Sequence, residues 1–138
     1  MTVGPLAALV VRTWDLLDSQ QLDRLDEVFA PDARFGAGPG AVTGPAAIAN
    51  LVLGHYRAFP QTSHQHVRSL EGDGVACVEG LVAAVHSGTL RSPVGDIAAT
   101  GRRIEWPATV WVEVADDRIV SWTTAYDTLA VLTQLGAR

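Results

Sequence analysis

Apolar residues at Leu6, Leu9, Val10, Trp14 and Leu17 recur at spacings of three, four, seven and eight, the period of a helix with one buried face. Pro5 suits its first turn. Asp18 followed by Gln21 has the form of a capping box, which predicts a second helix through Leu22, Leu25, Val28 and Phe29. Pro31-Asp32 ends that pair, and Gly36-Ala37-Gly38-Pro39-Gly40 reads as a loop at a pocket rim, too irregular to cradle a phosphate. A third helix starts at Thr43-Gly44-Pro45, carries Ile48, Leu51, Val52 and Tyr56 on its apolar face, and closes at Phe59-Pro60.

Beyond residue 60 the period changes. β-Branched and aromatic runs over 63–71, 75–87, 103–115 and 118–126 predict strands, separated by turns at Gly72-Asp73-Gly74 and Ala115-Asp116-Asp117. In the third run Ile104, Trp106, Ala108, Val110, Val112 and Val114 share one face, while Glu105, Thr109, Trp111 and Glu113 share the other. The apolar surface around Trp111 predicts a homodimer contact. A last short helix follows Asp127 as its N-cap, with Leu129, Leu132 and Leu135 inward and Gly136 as its stop. Helices followed by strands make an α+β order, and the absence of a repeat or linker predicts one domain over residues 1–138.

Composition narrows the function classes. The ten basic residues are all arginines, scattered through a chain of net charge −5, so no basic stripe is available for nucleic acid. Without lysine there is no Schiff-base chemistry. Cys77 is the single cysteine, which rules out an internal disulfide and fits a reducing, cytoplasmic setting. No apolar run reaches the roughly 20 residues that span a bilayer, and no leader precedes the first helix, so no membrane partner is expected.

The C-terminal half carries more specific signals. His86-Ser87-Gly88, then Thr100-Gly101-Arg102-Arg103, Asp117-Arg118-Ile119-Val120, Asp127-Thr128-Leu129 and Gln134-Leu135-Gly136 occur in an order that resembles the SnoaL-like polyketide cyclases of the nuclear-transport-factor-2-like superfamily. The resemblance implies a cone-shaped fold, with three N-terminal helices packed on a curved, mostly antiparallel sheet around a small-molecule pocket. It also implies that Thr124 stands where aldol cyclases of this type carry a catalytic aspartate, and that Phe35 and Val110 stand near the carboxylate positions of ketosteroid isomerases. A second resemblance joins Asp18, Asp23-Arg24-Leu25, Thr62-Ser63-His64 and His86 to the Asp-His-His arrangement of scytalone-type dehydratases, with Leu17 and Ala37 at the places of their tyrosines.

Strand alternation sorts the implied pocket lining. An inward His64 brings His66 and Arg68 with it; Val82, Ala84 and His86 form a second inward set; Trp122, Thr124 and Tyr126 form a third. Imidazole titrates near neutrality, so His64 as base and His86 as acid could divide a proton transfer, with Asp18 fixing the tautomer of the base. Trp14, Tyr56, His66, Trp122, Thr124 and Tyr126 are the candidate substrate contacts. The same residues have structural readings: Asp18 as a helix N-cap, His86 as a bond to the adjacent loop, His55 as a C-terminal helix cap, and Trp122 and Tyr126 as core. His64-x-His66 would need one or two further ligands to hold a metal, with only His86 or Asp18 placed to supply them, and neither metal nor cofactor is expected.

The expected function is therefore acid–base catalysis of cyclisation, isomerisation or water loss on a hydrophobic polyketide- or terpenoid-like molecule. Epoxide opening is the alternative if Asp96 or Glu105 joins the histidines, and a non-catalytic carrier is the alternative of a different class.

Overall fold

The computed structural model describes residues 3–136. Helix α1 (Pro5–Asp18) is followed by a 3-10 segment (Leu22–Glu27) and strand β1 (Phe29–Phe35), then β2 (Val42–Thr43) and helix α2 (Pro45–Ala58). Strands β3 (Gln61–Gly72) and β4 (Val75–Val85) lead to a small hairpin of β5 (Leu90–Ser92) and β6 (Gly95–Ile97). The long strands β7 (Arg103–Ala115) and β8 (Arg118–Tyr126) and helix α3 (Thr128–Gln134) complete the chain. The main sheet has the order β2-β1-β8-β7-β4-β3, antiparallel except where β1 runs parallel to β8.

The α+β expectation holds, with two corrections near the N-terminus. The second predicted helix is a single 3-10 segment, and Phe29 already belongs to a strand. Pro31 hid that strand: it donates no ladder bond, and the β1–β8 register slips between Phe29 and Arg34, around it. Asp18 caps nothing. It is the last residue of α1, and the 3-10 segment follows Gln21 as its N-cap residue, without a side-chain cap bond.

Both predicted turns have the backbone that tight hairpins require. Asp73 and Gly74 lie at φ +54° and +75°, Asp116 and Asp117 at +50° and +61°, the left-handed pair whose twist matches the flanking strands. Along β7 the predicted alternation is observed, with Ile104, Trp106, Ala108, Val110 and Val112 buried and Trp111 half exposed on the opposite face. Asp127 caps α3 by accepting from the Ala130 amide at 3.0 Å. Leu132 and Leu135 are buried as expected, but Leu129 points to solvent and Val131 takes its place in the core.

The core is two packings on the inner face of the sheet. Under α1 and α2, Val10, Trp14, Leu25, Phe29, Ile48 and Tyr56 meet Val78, Val110, Ile119 and Trp122. Toward α3, Phe59, Val82, Ile104 and Trp106 meet Val131 and Leu135. Between the two the sheet is open to a cavity. No described helix is long and apolar enough to cross a membrane.

Candidate active site

The cavity measures about 980 Å³ and is lined from α1, α2, the β5–β6 hairpin, the inner face of the sheet and α3. Its interior is apolar and aromatic, with Leu17, Phe35, Phe59, Val82, Trp106 and Val110 among the lining residues. Arg57, Arg91, Asp96 and Tyr126, all exposed, mark its mouth.

Asp18 and His64, 46 residues apart in sequence, meet here. The end of α1 crosses the start of β3, so the Asp18 carboxylate faces His64 near the beginning of that strand. His64 Nδ1 lies 2.9 Å from both carboxylate oxygens, and the His64 backbone N–H donates to Oδ2 at 3.1 Å. The Tyr56 hydroxyl on α2 donates to Oδ1 at 2.8 Å. An ionised carboxylate only accepts, so Nδ1 must carry a hydrogen and the lone pair of the neutral ring sits on Nε2. Trp14 stacks on the imidazole, with centroids 5.0 Å apart and planes 13° apart. The Trp14 ring in turn lies over Gly80, where a Cβ would come within 2.7 Å of its Cη2, so the close approach requires glycine. Burial, and then the charge of Asp18, push the Tyr56 phenol far above its ordinary range, so it stays a donor.

The other predicted site residues divide. Trp14, Tyr56, Trp122, Thr124 and Tyr126 all line the cavity. Trp122 stacks on Phe35 and donates through Nε1 to Thr124 Oγ1 at 2.8 Å. His66 does not line it. A register shift between His66 and Arg68 marks a β-bulge at Val67, His66 turns to Ser69 Oγ at 3.0 Å, and Arg68 emerges on the outer face against Glu79.

His86 does not line the cavity either. It is fully buried behind Phe59, whose ring lies 5.3 Å away, and burial lowers its pKa. Its Nδ1 accepts from the Thr100 amide at 3.2 Å and lies 2.9 Å from Thr100 Oγ1. The main chain around it exchanges bonds with Gly101 and Arg102, while Ser87 and Gly88 both donate to the Ala58 carbonyl at the end of α2. The His-Ser-Gly and Thr-Gly-Arg segments thus form one buried tie between loop and helix. An acid role for His86 in the cavity is corrected on this geometry, because its side chain is sealed from the space a substrate would occupy.

His55, given only a capping role from sequence, lines the cavity from the last turn of α2. Its Nε2 lies 3.0 Å from Thr62 Oγ1. Burial first, and then nearby His64, lower its pKa to about 4. The available signal was Thr62, placed just after the helix closes, where its side chain can turn back on the helix end. Asp96 reaches the mouth without bonding to either histidine, and Glu105 lies on the outer face with Arg103 and Gln134. Among the described residues no group of three or more His, Cys, Asp or Glu side chains forms a metal site.

A family profile described as SnoaL-like polyketide cyclase matches residues 8–135. The chain belongs to the SnoaL-like polyketide cyclase family. Solved structures sharing its fold include a protein from Jannaschia sp. CCS1, provisionally described as a SnoaL-like polyketide cyclase, at 18% identity over 97% of this chain and 93% of that one, with TM-score 0.84. IdmH from Streptomyces antibioticus, provisionally described as a polyketide cyclase, matches at 21% identity over 95% and 98% of the two chains, with TM-score 0.76. A protein of ketosteroid isomerase-like fold from Catenulispora acidiphila, solved with trimethylamine, matches at 15% identity over 94% and 93%, with TM-score 0.76. At these identities the likeness to each structure is one of fold. No curated protein matches the sequence. Within a SnoaL-like scaffold fold does not dictate chemistry, which has to be argued from the cavity.

Proposed function

We propose that this SnoaL-like protein is a cofactor-independent acid–base enzyme acting on a hydrophobic polyketide-like molecule, with His64 as base and Asp18 as the residue that orients it. The observation that carries the reading is the Asp18 carboxylate. It accepts from His64 Nδ1, the His64 amide and Tyr56 Oη, which leaves His64 Nε2 as the proton acceptor in an apolar chamber. Such a base removes a proton from a carbon flanked by carbonyls. The resulting enolate attacks a second carbonyl of the same chain, a carbon–carbon bond forms, and the new alkoxide takes the proton back from the His64 imidazolium. One histidine then serves as base and acid in turn, so neither a second imidazole nor a carboxylate at Thr124 is needed. Epoxide opening is disfavoured, because neither Asp96 nor Glu105 stands beside the histidines.

The active unit is a homodimer in this reading. Leu70, Cys77 and Trp111 lie side by side across β3, β4 and β7 on the outer face, with Leu70 82% and Trp111 55% exposed, and a second copy of the same sheet would cover them.

A test that needs no natural substrate is exchange of the acidic hydrogens of an aryl 1,3-diketone in deuterated water, followed by NMR. The wild-type protein accelerates exchange, Asp18→Asn slows it about 100-fold, and His64→Ala returns it to background while both variants remain folded. Equal rates in all three would overturn the base assignment. Tight binding of the diketone with no exchange would favour the non-catalytic carrier.

A further inference from the structure

One titratable side chain of the cavity takes no part in the Asp18–His64 pair. The Thr62 hydroxyl that meets His55 Nε2 at 3.0 Å also lies 2.7 Å from the Phe59 carbonyl oxygen. A carbonyl can only accept, so the single hydroxyl proton goes to Phe59 and the imidazole must be the donor to Thr62. His55 is therefore the Nε2–H tautomer, and its lone pair is on Nδ1.

That lone pair is available. Among the described residues Nδ1 has no hydrogen-bond partner, and the buried side-chain nitrogen or oxygen left without one is His86 Nε2. Nδ1 is thus accessible, and the space His55 borders is the cavity. The ring is held by Tyr56, Phe59 and Trp106, whose centroids lie 4.8, 5.2 and 6.2 Å away. Because its pKa is lowered to about 4, it remains a neutral acceptor under ordinary conditions. The cavity therefore presents two fixed imidazole acceptors of opposite tautomer, Nε2 of His64 and Nδ1 of His55, within mainly apolar walls.

We propose that His55 is a specificity-determining residue whose Nδ1 accepts a hydrogen bond from a phenol or enol hydroxyl of the substrate, so that the pocket selects hydroxylated aromatic or enolic molecules. The proposal rests on the acid–base reading only for the role of the bound molecule, since recognition is read by binding alone. A site with a fixed acceptor rejects the analogue that lacks the donor, because that acceptor is then desolvated and unpaired.

The test compares 2-naphthol with its methyl ether by calorimetric titration of the whole chain. The wild-type protein binds the naphthol roughly tenfold or more tightly than the ether. In His55→Phe the preference falls to about twofold or less. Thr62→Val, which keeps the ring in the cavity but removes its anchor, weakens the preference. If His55→Phe does not fold, nitrogen-15 NMR of the labelled wild-type protein still decides: His55 carries its proton on Nε2 and none on Nδ1 at neutral pH. The proposal is overturned by equal or absent binding of the two probes, by a preference that survives His55→Phe, or by a protonated Nδ1. Loss of deuterium exchange with the preference intact would remove the acid–base reading and leave this one standing.

Discussion

The Tyr56 hydroxyl donates to Asp18 Oδ1 at 2.8 Å, so a residue of α2 braces the carboxylate by which the end of α1 grips His64. Three elements are joined at one charge, and the aim of the base depends on all three. Removing the hydroxyl in Tyr56→Phe keeps the buried ring and deletes one bond to a charged group, which costs about 1.5–3 kcal/mol. Asp18 still receives two bonds from His64, so exchange of the diketone should slow roughly 3- to 30-fold, less than in Asp18→Asn. Urea denaturation and the exchange rate, measured together, check both effects. An unchanged exchange rate would mean that His64 alone orients Asp18.

Acid should weaken the fold through its buried histidines. The folded pKa of His55, about 4, lies below the ordinary 6.5 that the unfolded chain retains. Between these values the unfolded state binds a proton that the folded state refuses, so stability rises with pH across the window and is lost as pH falls from about 6.5 toward 4. At about 1.4 kcal/mol per pH unit, His55 alone would remove about 3 kcal/mol. His86, also lowered by burial, acts in the same direction. Urea midpoints at neutral pH and at progressively lower pH measure the slope, and His55→Phe should flatten it. A midpoint independent of pH over this range would contradict the burial of both rings.

How much of this could be read in the sequence varied with how local its cause was. The bounds of β7 and β8 followed from period-two alternation and from Asp-rich turns, because a strand with one buried face writes its pattern in adjacent residues. β1 did not, since Pro31 and the alternating Asp32 and Arg34 look like a loop until the parallel partner β8 is present. Asp18 and His64 were paired through family order, not spacing; no local rule brings together residues 46 apart. His86 misled for a related reason. Its position next to inward Val82 and Ala84 implied the cavity, but the chain leaves the sheet at Val85 and Phe59 closes over the ring. His66 failed for another reason: it keeps the inward register opposite Gly80, but there the Trp14 ring of α1 fills the space, and only beyond it does the bulge turn Arg68 outward.

The outer face of the sheet carries the last prediction. Register places Leu70 beside Cys77, Cys77 beside Trp111 and Trp111 beside Thr123, an apolar row across four strands whose middle is an exposed indole. Covering such a row with its own copy removes apolar area on both subunits at once, at about 25 cal/mol per Å². Trp111→Arg places two like charges near the two-fold axis of that contact while leaving the inner face, which forms the cavity, untouched. Light scattering after size exclusion should then report a wild-type dimer and a folded, monomeric variant. The wild-type melting temperature should rise with protein concentration while that of the variant does not. A wild-type chain that stays monomeric at micromolar concentration would show instead that this face is simply solvated, and would detach the dimer from the proposed chemistry without touching Asp18 or His64.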